Sequence, residues 1–246
     1  MEIDQFSRTR LLFGEEALDS FTKTRIAVIG LGGVGSFAAE ALARSGILKM
    51  LLVDADRINL SNLNRQLPAL LSTLGKYKTE VLRDRLLDIN PEMEIDIFTG
   101  FCNEHSRGDI LKNVDFVVDA IDSLVPKVGL LEDCYRAEIP VISVMGAASR
   151  FDPSRIAIAD ISQTSVCPLA RRVRKFLRRR DIHKGITVIY SNEEPIEQFP
   201  PEAGTLQDWE GEKGRMRGTL GSVVYLPAIM GMWAAGYVLR KLAGRL

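Results

Sequence analysis

From Arg25 onward, short runs of β-branched and aliphatic residues alternate with stretches whose apolar positions recur at helical spacing. The runs at 26–29, 50–53, 95–98, 116–119 and 141–144 predict strands; a strand covered on both faces reads as continuous Val, Ile and Leu. Between them, 34–44, 76–89 and 127–137 carry the spacing of amphipathic helices, and Asn90-Pro91 stops the second. Strands separated by helices predict a parallel sheet with right-handed crossovers. The expected fold class is α/β: a Rossmann-like, doubly wound, mostly parallel sheet with a C-terminal extension.

After about residue 150 the rhythm changes. A strand is expected at 156–159, then an Arg-rich helix, then a strand at 186–190. The stretch 192–218 holds Pro195, Pro200, Pro201 and four glycines, which reads as a long loop. The chain closes on an apolar run at 223–239, uncharged over 17 residues. That is the short end of the ~17–25 residues needed to cross a bilayer. Pro227, Gly231 and Gly236 interrupt it, so a buried or dimer-facing helix is favoured over a membrane anchor. The expected division is a core over 1–160 and an extension over 161–246 within the same globular unit.

Composition narrows the class. With 246 residues, 46% of them hydrophobic and 26% charged, the chain can bury a sizeable core. A disordered tail, a collagen-like chain and a small disulfide scaffold are excluded. Cys102, Cys134 and Cys167 are odd in number, far apart and without a Cys-x-x-Cys pair, so neither a disulfide framework nor a four-cysteine zinc site is available. The polar start lacks the apolar core of a signal peptide, and a reduced, cytoplasmic protein is expected.

Charge changes the picture only when read along the chain. The total is 32 Lys plus Arg against 32 Asp plus Glu, which argues against a uniformly basic nucleic-acid binder. Yet 171–184 holds Arg171, Arg172, Arg174, Lys175, Arg178, Arg179, Arg180 and Lys184 against Asp181 alone. On a helix, Leu169, Val173, Phe176 and Leu177 form the apolar stripe and the cations cover the rest. Without acids at pairing distance this face repels itself, and a polyanion relieves that repulsion. Arg171, Arg174, Lys175 and Arg178 are the candidate contacts to such a polyanion. An acidic stretch follows: Glu193, Glu194, Glu197, Glu202, Asp208, Glu210 and Glu212. It reads equally as a mobile lid and as a solvated loop.

Candidate chemistry begins at Gly30-Leu-Gly32-Gly33-Val-Gly35, after the first strand and at the start of the first helix. A tight glycine turn lets backbone amides approach a phosphate, and the helix N-terminus adds partial positive charge. Asp54 ends the second strand, where a carboxylate accepts from ribose hydroxyls. Alone, these features suit NAD, FAD or ATP. More specific are Asp54-Ala-Asp56, Ser61-Asn62-Leu-Asn-Arg65-Gln66, Gly75-Lys76-Tyr-Lys78 and Asp119-Ala-Ile-Asp122. NAD-linked redox chemistry has no use for an Arg and a Lys aimed at a triphosphate. Nucleotidyl transfer does: Arg65 and Lys78 offset charge on the β and γ phosphates, and Asp122 can hold Mg²⁺.

As an ordered set over roughly residues 5–160, these motifs resemble the adenylating superfamily of ubiquitin-activating enzymes. The resemblance implies ATP held at Gly30, Gly32, Gly33, Gly35, Asp54, Asp56, Asn62, Arg65 and Lys78, with Mg²⁺ on Asp122. It implies attack by a substrate carboxylate on the α-phosphate, giving an acyl-adenylate and pyrophosphate. It also implies a homodimer in which an N-terminal Arg reaches the neighbouring subunit's ATP. Arg8, in Phe6-Ser-Arg8-Thr, is the candidate, with Arg10 as substitute; Gln5 stands where the family often has its first Arg.

Further motifs resemble the superfamily's tRNA-modifying dehydratases. These are Phe13-Gly-Glu-Glu-Ala-Leu18, Ala39-Glu-Ala-Leu-Ala-Arg-Ser-Gly46, Gly146-Ala-Ala, Asp152-Pro153 and Thr164-Ser-Val-Cys-Pro-Leu-Ala170. The implied substrate is the carboxylate of a threonylcarbamoyl group on a tRNA adenosine. An internal nucleophile then closes a ring and releases AMP. Because that nucleophile is already at high effective concentration, no enzyme thioester is needed, and Cys167 reads as a buried filler rather than a nucleophile. The competing expectation is adenylation of the C-terminus of a sulfur-carrier or ubiquitin-like protein, which admits a sulfur-relay protein as a partner. Relatives of that kind often carry paired zinc cysteines, missing here. A non-catalytic nucleotide-binding scaffold is the third reading, and Arg65, Lys78 and Asp122 together argue against it. His105 and His183 read as surface residues.

Overall fold

Strands β1 (Arg25–Ile29), β2 (Lys49–Val53), β3 (Glu94–Phe98), β4 (Phe116–Asp119), β5 (Val141–Val144), β6 (Ile156–Asp160) and β7 (Thr187–Ser191) form one sheet in the computed structural model, which describes residues 4–197, 199 and 220–246. Their order is β3-β2-β1-β4-β5-β7-β6. Every neighbouring pair is parallel except β6 with β7, which is antiparallel. Each strand lies within one residue of the span its apolar run predicts. The helices are α1 (Ser7–Phe13), α2 (Glu15–Lys23), α3 (Gly35–Arg44), α4 (Lys78–Ile89), α5 (Arg107–Ile110), α6 (Leu124–Arg136), α7 (Pro168–Arg178) and α8 (Tyr225–Leu242).

Strand period sorts the core onto the two faces of the sheet. Ile26, Val28, Met50 and Leu52 join Phe21, Leu42, Leu82 and Met230 on the face covered by α2, α3, α4 and α8. Ala27, Ile29, Leu51 and Val53 meet Ile110 and Leu130 of α5 and α6 on the other. A third cluster seats α7 by Ala170, Val173 and Leu177 against β7 and α6. Each fully buried aliphatic side chain of this kind contributes about 1.5–3 kcal/mol relative to exposure.

Two helix starts show how prolines are accommodated. Helix α6 begins at Leu124, three residues before the expected start, with Pro126 in its first turn. Amides of a first turn have no partner within the helix, so the N–H that proline lacks is not missed there. Pro227 sits likewise in the first turn of α8.

The apolar run at the chain's end is this α8. Its Leu226, Met230, Ala234 and Val238 are buried in the main core, and a side chain at Gly231 would collide with the backbone oxygen of Val34. One apolar face of α8 is thus buried against α3 and the sheet, while Met232 and Trp233 stay exposed. Among the described residues, no helix is long and apolar enough to cross a membrane. Most of the loop expected at 192–218 lies outside the described residues.

Candidate active site

The strand order reverses at β1, whose neighbours are β2 on one side and β4 on the other. In open parallel sheets, ligands bind at the carboxyl ends of the strands flanking such a switch point. The loop leaving β1, the end of β2 and the turn after β4 all meet there.

The glycine loop is shaped by contacts that a side chain could not survive. Gly30 has φ +89°, and a Cβ on it would lie 2.7 Å from the backbone oxygen of Ala120. A Cβ on Gly35 would strike the Gly30 carbonyl itself. Behind the loop, Gly33 packs against the Arg65 carbonyl and the ring of Pro227, so the start of α8 forms its rear wall. Gly32 differs, because a Cβ there would meet only the Gln66 side chain, 3.7 Å away. Its surface is therefore open to an incoming phosphate, beside the first-turn amides of α3.

Asp54 joins this loop to the cations. Its Oδ2 accepts from the Leu31 amide at 2.6 Å and its Oδ1 from the Asp56 amide at 2.8 Å. Lys78, only 4% exposed, places Nζ 2.7 Å from Asp56 Oδ2 and 3.9 Å from Asp54 Oδ1. Burial raises the Asp54 carboxyl above its ordinary pKa, against the opposing charge of Lys78. Lys78 stands there because the chain folds back before α4. The Ile58 amide donates to Lys76 O at 2.9 Å and the Gly75 amide to Ile58 O at 2.8 Å, while the Arg57 guanidinium lies 3.7 Å over the Tyr77 ring.

Arg65 follows a short 3-10 turn at Leu60–Asn62. Its Nη1 donates to Ser61 O and Asn64 Oδ1, both at 2.9 Å, and Asn64 Nδ2 donates to Ser222 O at 3.0 Å, tying this turn to the segment before α8. Burial lowers the Arg65 pKa from its ordinary value, and the charge of Asp122 across the crevice opposes that effect. Asp122 itself is exposed and accepts from Ser123 Oγ at 3.1 Å. Asn62, counted with the nucleotide ligands from sequence, is buried, and its Oδ1 caps its own turn by accepting from the Asn59 amide at 3.2 Å. It shapes the wall that carries Arg65.

Beneath the site, Asp119 of the Asp119–Asp122 motif has a buried partner that the sequence does not single out, Lys127. Lys127 and Asp119 are both fully buried, with Nζ 2.7 Å from Oδ2. The hint available was a lysine beside the apolar stretch 128–131 of a helix, where charge is costly unless paired.

The chain matches the ThiF family over residues 6–245. This protein belongs to the ThiF family. The tRNA threonylcarbamoyladenosine dehydratase of Bacillus subtilis (strain 168) is 42% identical to it over 244 residues, covering 98% of this chain and 95% of the relative. The enzyme of the same name from Escherichia coli (strain K12) is 34% identical over 255 residues, covering 98% and 94%. The solved structure of E. coli tRNA N6-threonylcarbamoyladenosine dehydratase in complex with ATP is similar at a TM-score of 0.85 and 32% identity, covering 98% of this chain and 94% of that one.

Other candidate residues of this ThiF-family chain fall into place around the crevice or away from it. Arg10 is held by Asp4 at 2.8 Å and Glu15 at 2.6 Å, whereas Arg8 is exposed on α1 with no ion pair among the described residues. On α7, Arg171, Lys175 and Arg178 are exposed. Arg174 departs from that group: its Nη1 donates to Thr164 O at 2.9 Å and to Thr164 Oγ1, so its guanidinium is engaged with the turn preceding α7. Cys167 caps α7 and is 1% exposed, as the filler reading expects. Cys167→Ser is expected to keep turnover within about twofold, because the thiol is shielded from any reactant; a steady-state assay checks this. Burial also pushes the Cys102 thiol up to about 12. Both histidines are exposed. Glu193 is no free acid, since its carboxylate accepts from the amides of Phe151 and Asp152 at 3.0 and 2.9 Å. Glu202, Asp208, Glu210 and Glu212 lie outside the described residues.

Proposed function

We propose that this protein is an ATP-dependent dehydratase that adenylates the carboxylate of threonylcarbamoyladenosine in tRNA and cyclises it, releasing AMP and pyrophosphate. The observation that carries the reading is the convergence of Asp54, Lys78, Arg65 and the Asp119–Asp122 turn on one glycine loop. Asp54 bonds the loop at Leu31, the Arg65 carbonyl backs Gly33, and Ala120 abuts Gly30. Sequence similarity along nearly the whole chain to dehydratases of that name supplies the substrate class.

The residues divide the work. The glycine loop gives phosphate oxygens close access to backbone amides. Asp54 holds a ribose hydroxyl. Arg65 and Lys78 stabilise the charge that builds on pyrophosphate as the carboxylate oxygen bonds the α-phosphorus and the α–β bridge breaks. The internal nucleophile of the modified nucleoside then attacks the acyl carbon, and AMP departs carrying the former carboxylate oxygen. The nucleoside has lost one water overall.

Among the described residues no cluster of three or more metal-binding side chains exists. The exposed carboxylate of Asp122 suits Mg²⁺, which is bound through one or two carboxylates plus substrate phosphates and waters. Asp122 would hold it, and the ion would supply charge neutralisation on the triphosphate. The reading includes a homodimer in which Arg8 completes the neighbour's site; exposed Leu11 and Leu12 on α1 and the exposed guanidinium of Arg8 favour this. Cyclisation needs no thiol, and the burial of Cys167 supports a structural role for that residue.

The exposed cations of α7 fit tRNA phosphates. Reversal of Arg171, Lys175 and Arg178 to Glu is expected to weaken tRNA binding on the order of tenfold at moderate salt, and to flatten the log–log salt dependence by about 0.7–0.9 for each phosphate no longer neutralised. Filter binding across a salt series measures both. Unchanged affinity with an unchanged slope would remove α7 from the tRNA surface. For the reaction itself, AMP is expected with threonylcarbamoyl-modified tRNA and not with unmodified tRNA; AMP released only with a carrier protein would transfer the reading to carrier activation.

A further inference from the structure

The Lys127–Asp119 pair is an unusual thing to keep in a core. Both side chains are fully buried, and Ser143, equally buried on β5, completes the cluster: its Oγ donates to Asp119 Oδ2 at 2.6 Å and accepts from Lys127 Nζ at 3.2 Å. Desolvating two charges costs several kcal/mol each, and well-packed apolar replacements of such pairs are often neutral or stabilising. Stability alone therefore gives little reason for the pair. Its position gives one. Asp119 is the last residue of β4, at the switch point, and its other carboxylate oxygen, Oδ1, accepts from the Ile121 amide at 3.0 Å. The intervening Ala120 donates to Ile29 O at 2.8 Å and sets its own carbonyl against Gly30. Asp122 follows two residues after Ala120. The Ala120–Ile29 backbone hydrogen bond holds the turn against the glycine loop, whereas the rotamer of the Asp119 carboxylate sets the place from which Asp122 reaches out.

We propose that Lys127, with Ser143, is a positioning residue of the nucleotide site: it locks Asp119 so that the turn presents Asp122 to a divalent cation on the bound triphosphate. This rests on the assignment of Asp122 as the metal-holding carboxylate. Lys127 itself touches no reactant, being sealed beneath the turn.

The test separates positioning from stability by removing the whole cluster at once. The triple variant Asp119→Leu, Lys127→Met, Ser143→Ala leaves no buried charge unpaired. It is expected to melt cooperatively near the wild-type temperature. Its ATP complex should bind Mn²⁺, read by electron paramagnetic resonance, about 10- to 100-fold more weakly, the usual scale for loss of an outer-shell partner. ATP binding in excess EDTA should stay unchanged. Wild-type Mn²⁺ affinity in the triple variant overturns the proposal, as does an equal fall in metal-free and metal-dependent ATP binding, which marks general loosening. Should the triple variant fail to fold, Ser143→Ala alone decides: a smaller loss of Mn²⁺ affinity supports the proposal, and none overturns it. Asp122→Asn serves as the control, since wild-type Mn²⁺ binding there refutes the metal assignment itself.

Discussion

Lys78→Ala should lower turnover by about 10²–10³-fold or more, the scale on which a preorganised charge at a developing anion acts. The effect has two sources. Lys78 is the cation nearest both Asp54 and Asp56, so its removal takes positive charge from the leaving pyrophosphate. It also leaves Asp54 buried with the neighbouring charge of Asp56 and without its main counter-charge. The Asp54 carboxyl, already raised by burial, rises further. If its ionised form holds the ribose, the acid limb of the pH–rate profile moves to higher pH in the variant. Steady-state rates across pH measure both changes. A rate within tenfold of wild type, with an unmoved acid limb, would take Lys78 out of the chemistry and leave it a buried structural cation.

Gly35→Ala should damage the fold itself. The added methyl would strike the Gly30 carbonyl, in a residue whose α-carbon is itself crowded by the Ala120 backbone. Neither neighbour is the movable end of a side chain. A backbone shift in a packed region costs about 3 kcal/mol, and at roughly 2–4 °C per kcal/mol for a chain of this size Tm should drop by roughly 6–12 °C. ATP binding falls with it, because the same loop receives the phosphates. Gly32→Ala provides the contrast: with only Gln66 nearby at 3.7 Å, it should melt like wild type yet bind ATP less well. Thermal melts with and without ATP distinguish the two glycines. Equal melting temperatures for both variants would mean that the loop yields easily at Gly35.

These contrasts show what was legible in the sequence. Strands buried on both faces announce themselves as apolar runs, and the glycines from 30 to 35 stand together between a strand and a helix, so fold and phosphate loop were readable from adjacent residues, although the contact that demands Gly30 comes from distant Ala120. Arg65, Lys78 and Asp122 were readable because each belongs to a short motif at a strand or helix end. What stayed hidden depends on contacts between distant elements. Lys127 is explained only by Asp119 and Ser143, on β4 and β5. Arg174 looks like its exposed neighbours until Thr164 is seen beneath it. Nor does the sequence show that Asn62, a candidate ligand, also caps its own turn by accepting from the Asn59 amide. The same holds for Arg10, whose partners Asp4 and Glu15 leave Arg8 as the available cation. Net charge hid most of all: equal totals of acids and bases conceal that 171–184 is basic and that four of its cations, Arg171, Arg172, Lys175 and Arg178, lie exposed on α7.

The central claim concerns the fate of one carboxylate. The protein, ATP and Mg²⁺ should be incubated with tRNA carrying threonylcarbamoyladenosine, and the nucleosides then digested and weighed. Dehydration predicts a nucleoside lighter by one water, with AMP and pyrophosphate formed in equal amount. A nucleoside of unchanged mass, with ATP consumed only when a carrier protein is supplied, would contradict it.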